Sequence, residues 1–407
     1  MQLDIDFIRS QFPAFQVPEL KGKAFFENAG GSFTCQPVID RLTRFYTERK
    51  VQPYAAYAPS SLGGQEMDEA RARMSALLGV APDELSFGPS TTQNVYVLAQ
   101  AFGEMMSPGE AVIVTNQDHE ANSGPWRRLA DRGIDVREWK IDRETGRLNP
   151  EDLENLLDEN VRLVCFPHCS NVVGEINNVI EITALAHSAG AFVCVDGVSY
   201  APHGFVNVGS LGPDIYLFSA YKTYGPHQGL MIIRRELAKL LPNQGHYFNA
   251  DTLYKRFTPA GPDHAQVAAC AGMADYIDAV YRHHVDGDAD PTARGEAVHD
   301  LMRAHEVTLL QPLLDMLSSR NSVRLLGPNQ AEARAPTVAM AVDRPGAEVA
   351  VDLIEQGIMA DGGDFYAVRA LEGMGVDANL GVLRVSFTHY TTQEEIIQLT
   401  TALDRIL

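Results

Sequence analysis

Four polar side chains each follow an apolar run in this 407-residue chain. His119 comes after AVIVTNQ, Asn171 after RLVCFP, Asp196 closes AFVCVD, and Lys222 follows DIYLFS. Lysine is costly to bury, yet Lys222 stands in FSAYKTYGPHQG, between two tyrosines at the end of an apolar stretch. Taken singly, each has an ordinary reading: the aspartate caps a helix, the lysine is a solvated charge, the histidine is a satisfied buried polar group. As a set they match the needs of pyridoxal 5'-phosphate. That cofactor takes a lysine amine for a Schiff base, a carboxylate that keeps the pyridine nitrogen protonated, a flat group over the ring and donors for the phosphate. Asp196 precedes Lys222 by 26 positions, one strand and its connections, which lets the two reach opposite ends of one ring. Held as an imine, the lysine sheds most of the cost of burying an ammonium.

For a phosphate, FGPSTTQNVYVLAQAF supplies a hydroxyl-rich turn with Thr91 and Thr92. It leads into a helix whose apolar face carries Val95, Leu98, Ala99 and Phe102. Free amides and the dipole at that end favour an anion, and a plain Ser/Thr cap explains the same residues. Ser219, three positions before Lys222, adds a hydroxyl. The elements that must position these groups are the strands EAVIVT, RLVCFP, AFVCVD, DIYLFS and GLMIIR, with helices such as PEDLENLLDE and EITALAHSAG between several of them. Continuous rather than alternating hydrophobicity marks strands covered on both faces, hence an α/β fold with a mostly parallel sheet. Ligands of such sheets sit at the carboxyl ends of the strands, where the four polar residues fall. After Gly261 the texture shifts to helices HAQVAACAGMADYIDAVYRHH and RAHEVTLLQPLLDMLSSR, then TVAMAVD, AEVAVDLIEQG and LGVLRVSF, which suits a smaller α+β unit. The expected division is an N-terminal segment, 1–22, packed on the small unit, a large domain, 23–265, and a small domain, 266–407.

With 45% hydrophobic and 21% charged residues, the composition is that of an ordinary globular protein with a large core. A formal net charge of -20 repels a phosphate backbone, so no nucleic-acid partner is expected. No stretch has the length of a membrane span, and MQLDIDFIRSQF has acids where a signal peptide needs a basic head; a cytoplasmic enzyme with no membrane partner is expected. Five scattered cysteines, Cys35, Cys165, Cys169, Cys194 and Cys270, argue against a disulfide framework. Cys165 and Cys169 flank His168, but no second pair follows at metal-binding spacing, and they read as core thiols. DGDADPT lacks the glycine and closing glutamate of a calcium loop and reads as a solvated acidic loop, so no metal is expected.

From FFENAGGSFTCQPVID to LRVSFTHYTTQEEI the chain resembles the class V aminotransferase group of fold-type-I pyridoxal phosphate enzymes, and within it the cysteine desulfurase-like proteins. The motifs HEANSGPW, CSNVVGEI, VDGVSYAPHG and SAYKTYGPHQG carry the likeness. It implies a seven-stranded sheet in the large domain. It also implies Lys222 as the Schiff-base lysine, Asp196 as partner of the pyridine nitrogen and His119 stacked on the ring. Thr91, Thr92 and Ser219 become phosphate ligands, and Asn171 lies near the cofactor hydroxyl or the substrate carboxylate. Arg384, which alone reads as a surface ion pair at a strand end, matches the arginine that clamps the substrate carboxylate. Tyr221 stands where the typical desulfurase has histidine, and Ser199 where many relatives have glutamine or histidine; both are expected at the cofactor. Tyr57, His203 and Tyr366 are expected on the substrate side.

One departure bears on the reaction. Desulfurases of this family carry a cysteine on a loop before the carboxylate-binding arginine, but here that loop reads ADGGDFYAVRALEGMG and no cysteine follows Cys270. The resemblance therefore implies chemistry through an external aldimine and an α-carbanion without a persulfide: elimination of a β leaving group, as in a C–S lyase. Alternatives are transamination, epimerisation, or an idle relative serving as a binding protein. It further implies an amino-acid substrate and a homodimer with sites near the subunit junction. In FTPAGPDHAQ, Thr258 is available to a neighbouring chain's phosphate site, while Pro262 replaces an expected threonine.

Overall fold

The computed structural model describes residues 2–407. After a short strand, β1 (Ala24–Phe25), the chain builds a seven-stranded sheet from β2 (Leu85–Gly88), β3 (Ala111–Thr115), β4 (Asp135–Trp139), β5 (Val161–Pro167), β6 (Phe192–Asp196), β7 (Ile215–Ser219) and β8 (Gly229–Ile233). Their order is β2-β8-β7-β6-β5-β3-β4. The pairs among β3 to β7 are parallel, and β8 runs antiparallel to both of its neighbours. The sheet is thus mostly parallel, as expected, and two strands longer than the five apolar runs that announce it. Alternate residues of β3 explain the unbroken apolar run: Ala111 and Ile113 enter one core, Val112 and Val114 another beneath the helix Thr91–Met105.

The smaller unit is a four-stranded antiparallel sheet of β9 (Arg324–Leu325), β10 (Thr337–Ala341), β12 (Asp361–Gly363) and β13 (Val382–Ser386) in the order β12-β13-β10-β9. Between them β11 (Ile358–Met359) pairs with β1. Its core gathers Val338, Met340, Leu383 and Val385 with Leu353 and Leu399 from two covering helices, Gly346–Glu355 and Gln393–Ile406.

The cores change hands later than the expected boundary at 265/266. The helical stretch after Gly261 breaks at Cys270 into His264–Ala269 and Ala271–His284, and its Val267, Met273, Tyr276 and Val280 pack into the large core. The next helix, Pro291–Ser318, is longer than its apolar pattern and is capped by Asp290, whose carboxylate accepts from Ala293 N at 3.0 Å. Its Val298, Leu301 and Met302 belong to the large core, while Leu309, Leu310, Leu313 and Leu314 belong to the small one. The N-terminal segment also joins both units: Phe7 stacks on His283 with centroids 3.8 Å apart, and Arg9 donates to Glu395 at 2.9 Å. Among the described residues no helix is long and apolar enough to cross a membrane, and no group of three or more His, Cys, Asp or Glu is placed to hold a metal.

Candidate active site

Four parallel strands end on the same edge of the large sheet, and each hands its last turn one functional residue. Past β3, His119 opens a short turn, Glu120–Asn122, and its Nδ1 accepts from Ala121 N at 3.0 Å. That bond leaves the proton on Nε2. Burial, then the positive charges of Lys222 and Arg384, push the imidazole down to about 3, so His119 is a flat neutral ring. Its neighbour Asp118, which drew no attention in the sequence, is buried beneath it, receiving Thr115 Oγ1 at 2.5 Å and Asn122 Nδ2 at 2.9 Å. Burial raises this carboxyl to about 8.

Asp196 ends β6, and its Oδ1 accepts from Val198 N at 2.8 Å. Burial lifts it to about 6 against the opposing pull of that N–H and of Lys222, so a protonated ring nitrogen would restore its ionisation. Beyond β7 the turn Ala220–Lys222 brings in Lys222, only 9% exposed, its amine lowered from 10.5 to about 8 by burial and by Arg384. Asn171 lies in the turn after β5; its Nδ2 donates to Phe365 O at 2.9 Å, and its Oδ1 is buried without a partner.

At the other end of the cleft Thr91 Oγ1 and Ser219 Oγ are 2.8 Å apart, at the start of the helix Thr91–Met105. Ser90 caps that helix by accepting from Gln93 N at 3.2 Å, leaving first-turn amides for an anion. Thr91, Thr92, Ser199 and Tyr221 line the same cleft as His119, Asn171, Asp196, Ser219 and Lys222. Tyr221 stacks on His227, ring centroids 4.8 Å apart. The donor set fits pyridoxal phosphate: hydroxyls and helix amides at one end, a buried carboxylate and amine at the other, and in Asn171 Oδ1 an orphaned acceptor for a hydroxyl or amine.

The expected substrate residues divide. Arg384, on β13, is buried; its Nη1 donates to Asn171 O at 3.1 Å, its Nη2 to Glu27 Oε1 at 2.6 Å, and its guanidinium lies 3.7 Å over the Phe365 ring. It is no surface ion pair. Tyr366 is at the rim, 73% exposed, its ring 5.4 Å from that of His119 and its carbonyl accepting from Glu120 N at 2.8 Å. Phe365 and Tyr366 both take positive φ, 52° and 56°, a left-handed backbone unusual for aromatic residues. Tyr57 stands half exposed ahead of the helix Ala58–Leu77 and does not line the cleft. His203 is a correction: it is buried off the cleft, its Nδ1 3.0 Å from Glu306 Oε1, and serves the packing of the helix Pro291–Ser318. Glu27, in FFENAGG, is a site residue that no local pattern marks as one except Gly30, where a Cβ would lie 2.5 Å from Glu27 Oε1.

All five cysteines are free and buried. Cys169 forms part of the cleft wall, with Sγ 3.2 Å from Gly174 O, and burial pushes its thiol up to about 12, away from the thiolate a nucleophile needs.

Comparison with known proteins agrees with this geometry. The aminotransferase class-V family model matches residues 24–284 and 295–399. The aminotransferase-like protein FGM3 of Gibberella zeae is 33% identical over 99% of this chain and 98% of its own length. A cysteine desulfurase of Serratia proteamaculans is 29% identical over 100% and 99%. In fold, the cysteine desulfurase of Thermococcus onnurineus NA1 superposes with a TM-score of 0.85 at 22% identity, covering 100% of this chain and 98% of that one. With most of its length matched and a cleft that suits the cofactor, this chain belongs to the class-V aminotransferase family, as a pyridoxal phosphate-dependent enzyme of the cysteine desulfurase-like kind.

Proposed function

We propose that this enzyme is a lyase that eliminates a β leaving group, such as a C–S-bonded sulfur, from an amino acid. The observation carrying this reading is the loop ahead of Arg384. It holds Asp364, Phe365 and Tyr366 where desulfurase relatives are expected to hold a thiol, and every cysteine of the chain is buried. Elimination needs no such thiol.

When bound, pyridoxal phosphate supplies an electron sink that makes the α-proton of the substrate acidic. Arg384, fixed by Asn171 O and Glu27, takes the α-carboxylate and so orients Cα. Lys222, with an amine titrating near 8, takes the α-proton at its Nζ and holds it. Asp196 keeps a negative charge in the cleft, and neutral His119 adds no competing cation. With cysteine as substrate, one water is consumed and pyruvate, ammonia and hydrogen sulfide leave.

Transamination and epimerisation share the α-proton step, and the aminotransferase-like relative is the reason to score them in the same assay. We further propose a homodimer, supported by the exposed Tyr54, Tyr57, Tyr247 and Phe248, which a second copy would cover, and a cytoplasmic location, supported by five unpaired cysteines.

The test is holoenzyme incubated with a panel of amino acids while pyruvate, sulfide, ammonia and chirality are followed. Pyruvate with free sulfide and ammonia from cysteine-like substrates is the expected result, lost together with the cofactor's imine absorbance in Lys222→Ala. Sulfur retained on the protein, or a keto acid formed with no free ammonia, would overturn the lyase reading.

A further inference from the structure

Arg384 is a cation that is already answered. It is 3% exposed, and a buried guanidinium without a counter-ion carries a large desolvation cost. Glu27 provides that counter-ion from the segment after β1, at 2.6 Å, and Asp361, in register with Arg384 across β12 and β13, adds a second negative charge close by. The match is incomplete in one respect: Arg384 Nε and Glu27 Oε2 are both buried with no partner, so with both Nη groups engaged the guanidinium keeps one unmet N–H for a ligand to satisfy. Arg369, an exposed arginine, pairs with Glu120 beside His119, its Nε 3.3 Å from Glu120 Oε2. Gly30 preserves the arrangement, since any Cβ there would collide with the Glu27 carboxylate.

We propose that Glu27 is a positioning and specificity-determining residue: by neutralising Arg384 it tunes the clamp to accept a single α-carboxylate and to reject amino acids with a second one. This rests on the reading of Arg384 as the carboxylate clamp. A monocarboxylic substrate satisfies the unmet Nε–H and brings one negative charge to a cation that Glu27 and Asp361 already answer. A dicarboxylic substrate brings a second, where Arg369 is already taken by Glu120 and where Glu27 and Asp361 repel it. The substrate class is thus neutral or cationic amino acids, not aspartate, glutamate or their homologues.

The test is the isosteric Glu27→Gln in holoenzyme, with amino-acid binding measured by calorimetry and by the shift of cofactor absorbance, independently of turnover. The parent should bind alanine and S-methylcysteine well and aspartate and glutamate poorly. In Glu27→Gln the dicarboxylates should gain affinity by about 10-fold more than the neutral amino acids do, the size expected for removing one nearby charge. Gly30→Ala, which displaces the carboxylate rather than deleting it, should narrow the same ratio. An unchanged ratio in Glu27→Gln, or an equal loss for both classes, would overturn the proposal, the latter by showing that Glu27 merely holds Arg384 in place. A parent that discriminates as stated yet releases no pyruvate would sink the lyase reading alone.

Discussion

Lys222 and Arg384 are two buried cations in one site; burial lowers both, and the charge of Arg384 further loosens the proton on Lys222. The arginine stays charged, so the lysine yields. In the cofactor-free chain, capture of pyridoxal phosphate requires the unprotonated amine; its rate, followed by absorbance, should rise with pH about a midpoint near 8. Arg384→Gln should move that midpoint upward, and a parent midpoint near that of free lysine, about 10.4, would contradict the charge coupling. The linkage has a definite sign. Between about 8 and 10.5 the unfolded chain keeps a proton at this lysine that the folded chain has shed, so its contribution to stability rises with pH across that window. Lys222, Asp196, Asn171 and His119 were legible because each follows an apolar run that ends on the ligand-binding edge of a parallel sheet. Glu27 was not, because the charge it answers lies 357 positions away. His203 misled for a related reason: the motif carrying it lies beside the cleft, but its partner Glu306 comes from a distant helix that draws the ring inward.

Among the elements, the turn after β5 does the most joining. Its Gly174 has φ 74°, and a Cβ there would stand 2.5 Å from Thr337 O and 2.9 Å from Arg334 Nη2. Ala335 N donates to Gly174 O at 2.9 Å, so the turn is bonded to the small unit's sheet a few residues from where Asn171 O orients Arg384. Gly174→Ala should cost about 2 kcal/mol or more in urea unfolding, from left-handed strain plus the clash, and should weaken substrate binding in step. A loss below about 0.5 kcal/mol would show that the junction is softer than its contacts imply. The central strands announced themselves by unbroken apolar runs. The edge strands did not: β4, DVREW, is only partly buried over most of its length, and β2 has only four residues. Helix ends were less legible still. PEDLENLLDE keeps only Pro150–Glu154 as helix, and the break at Cys270 falls between alanines, with Gly272 already inside the next helix.

For the molecule as a whole, charge and apolar surface make opposite demands. Two copies at -20 each repel one another, so an interface between them must rest on apolar contact. Tyr54 and Phe248 share a cleft that also includes Thr258 and Pro262, which ties the exposed aromatics to the loop expected at the subunit junction. Sedimentation should therefore give twice the chain mass and hold it as salt rises to about 0.5 M, where repulsion is screened and apolar contact is not. Dissociation on adding salt would point to ion pairs instead. The two units of each chain are joined differently. The helix Pro291–Ser318 is rooted in both hydrophobic interiors, and Pro312 lies within its small-unit half. Such a shared beam transmits damage: a cavity opened at Leu310 or Leu313 tilts the platform that presents the guanidinium to the amine. A screen for lost turnover will therefore return leucines remote from any reacting atom, and their defect will masquerade as poor affinity for the substrate's acid group.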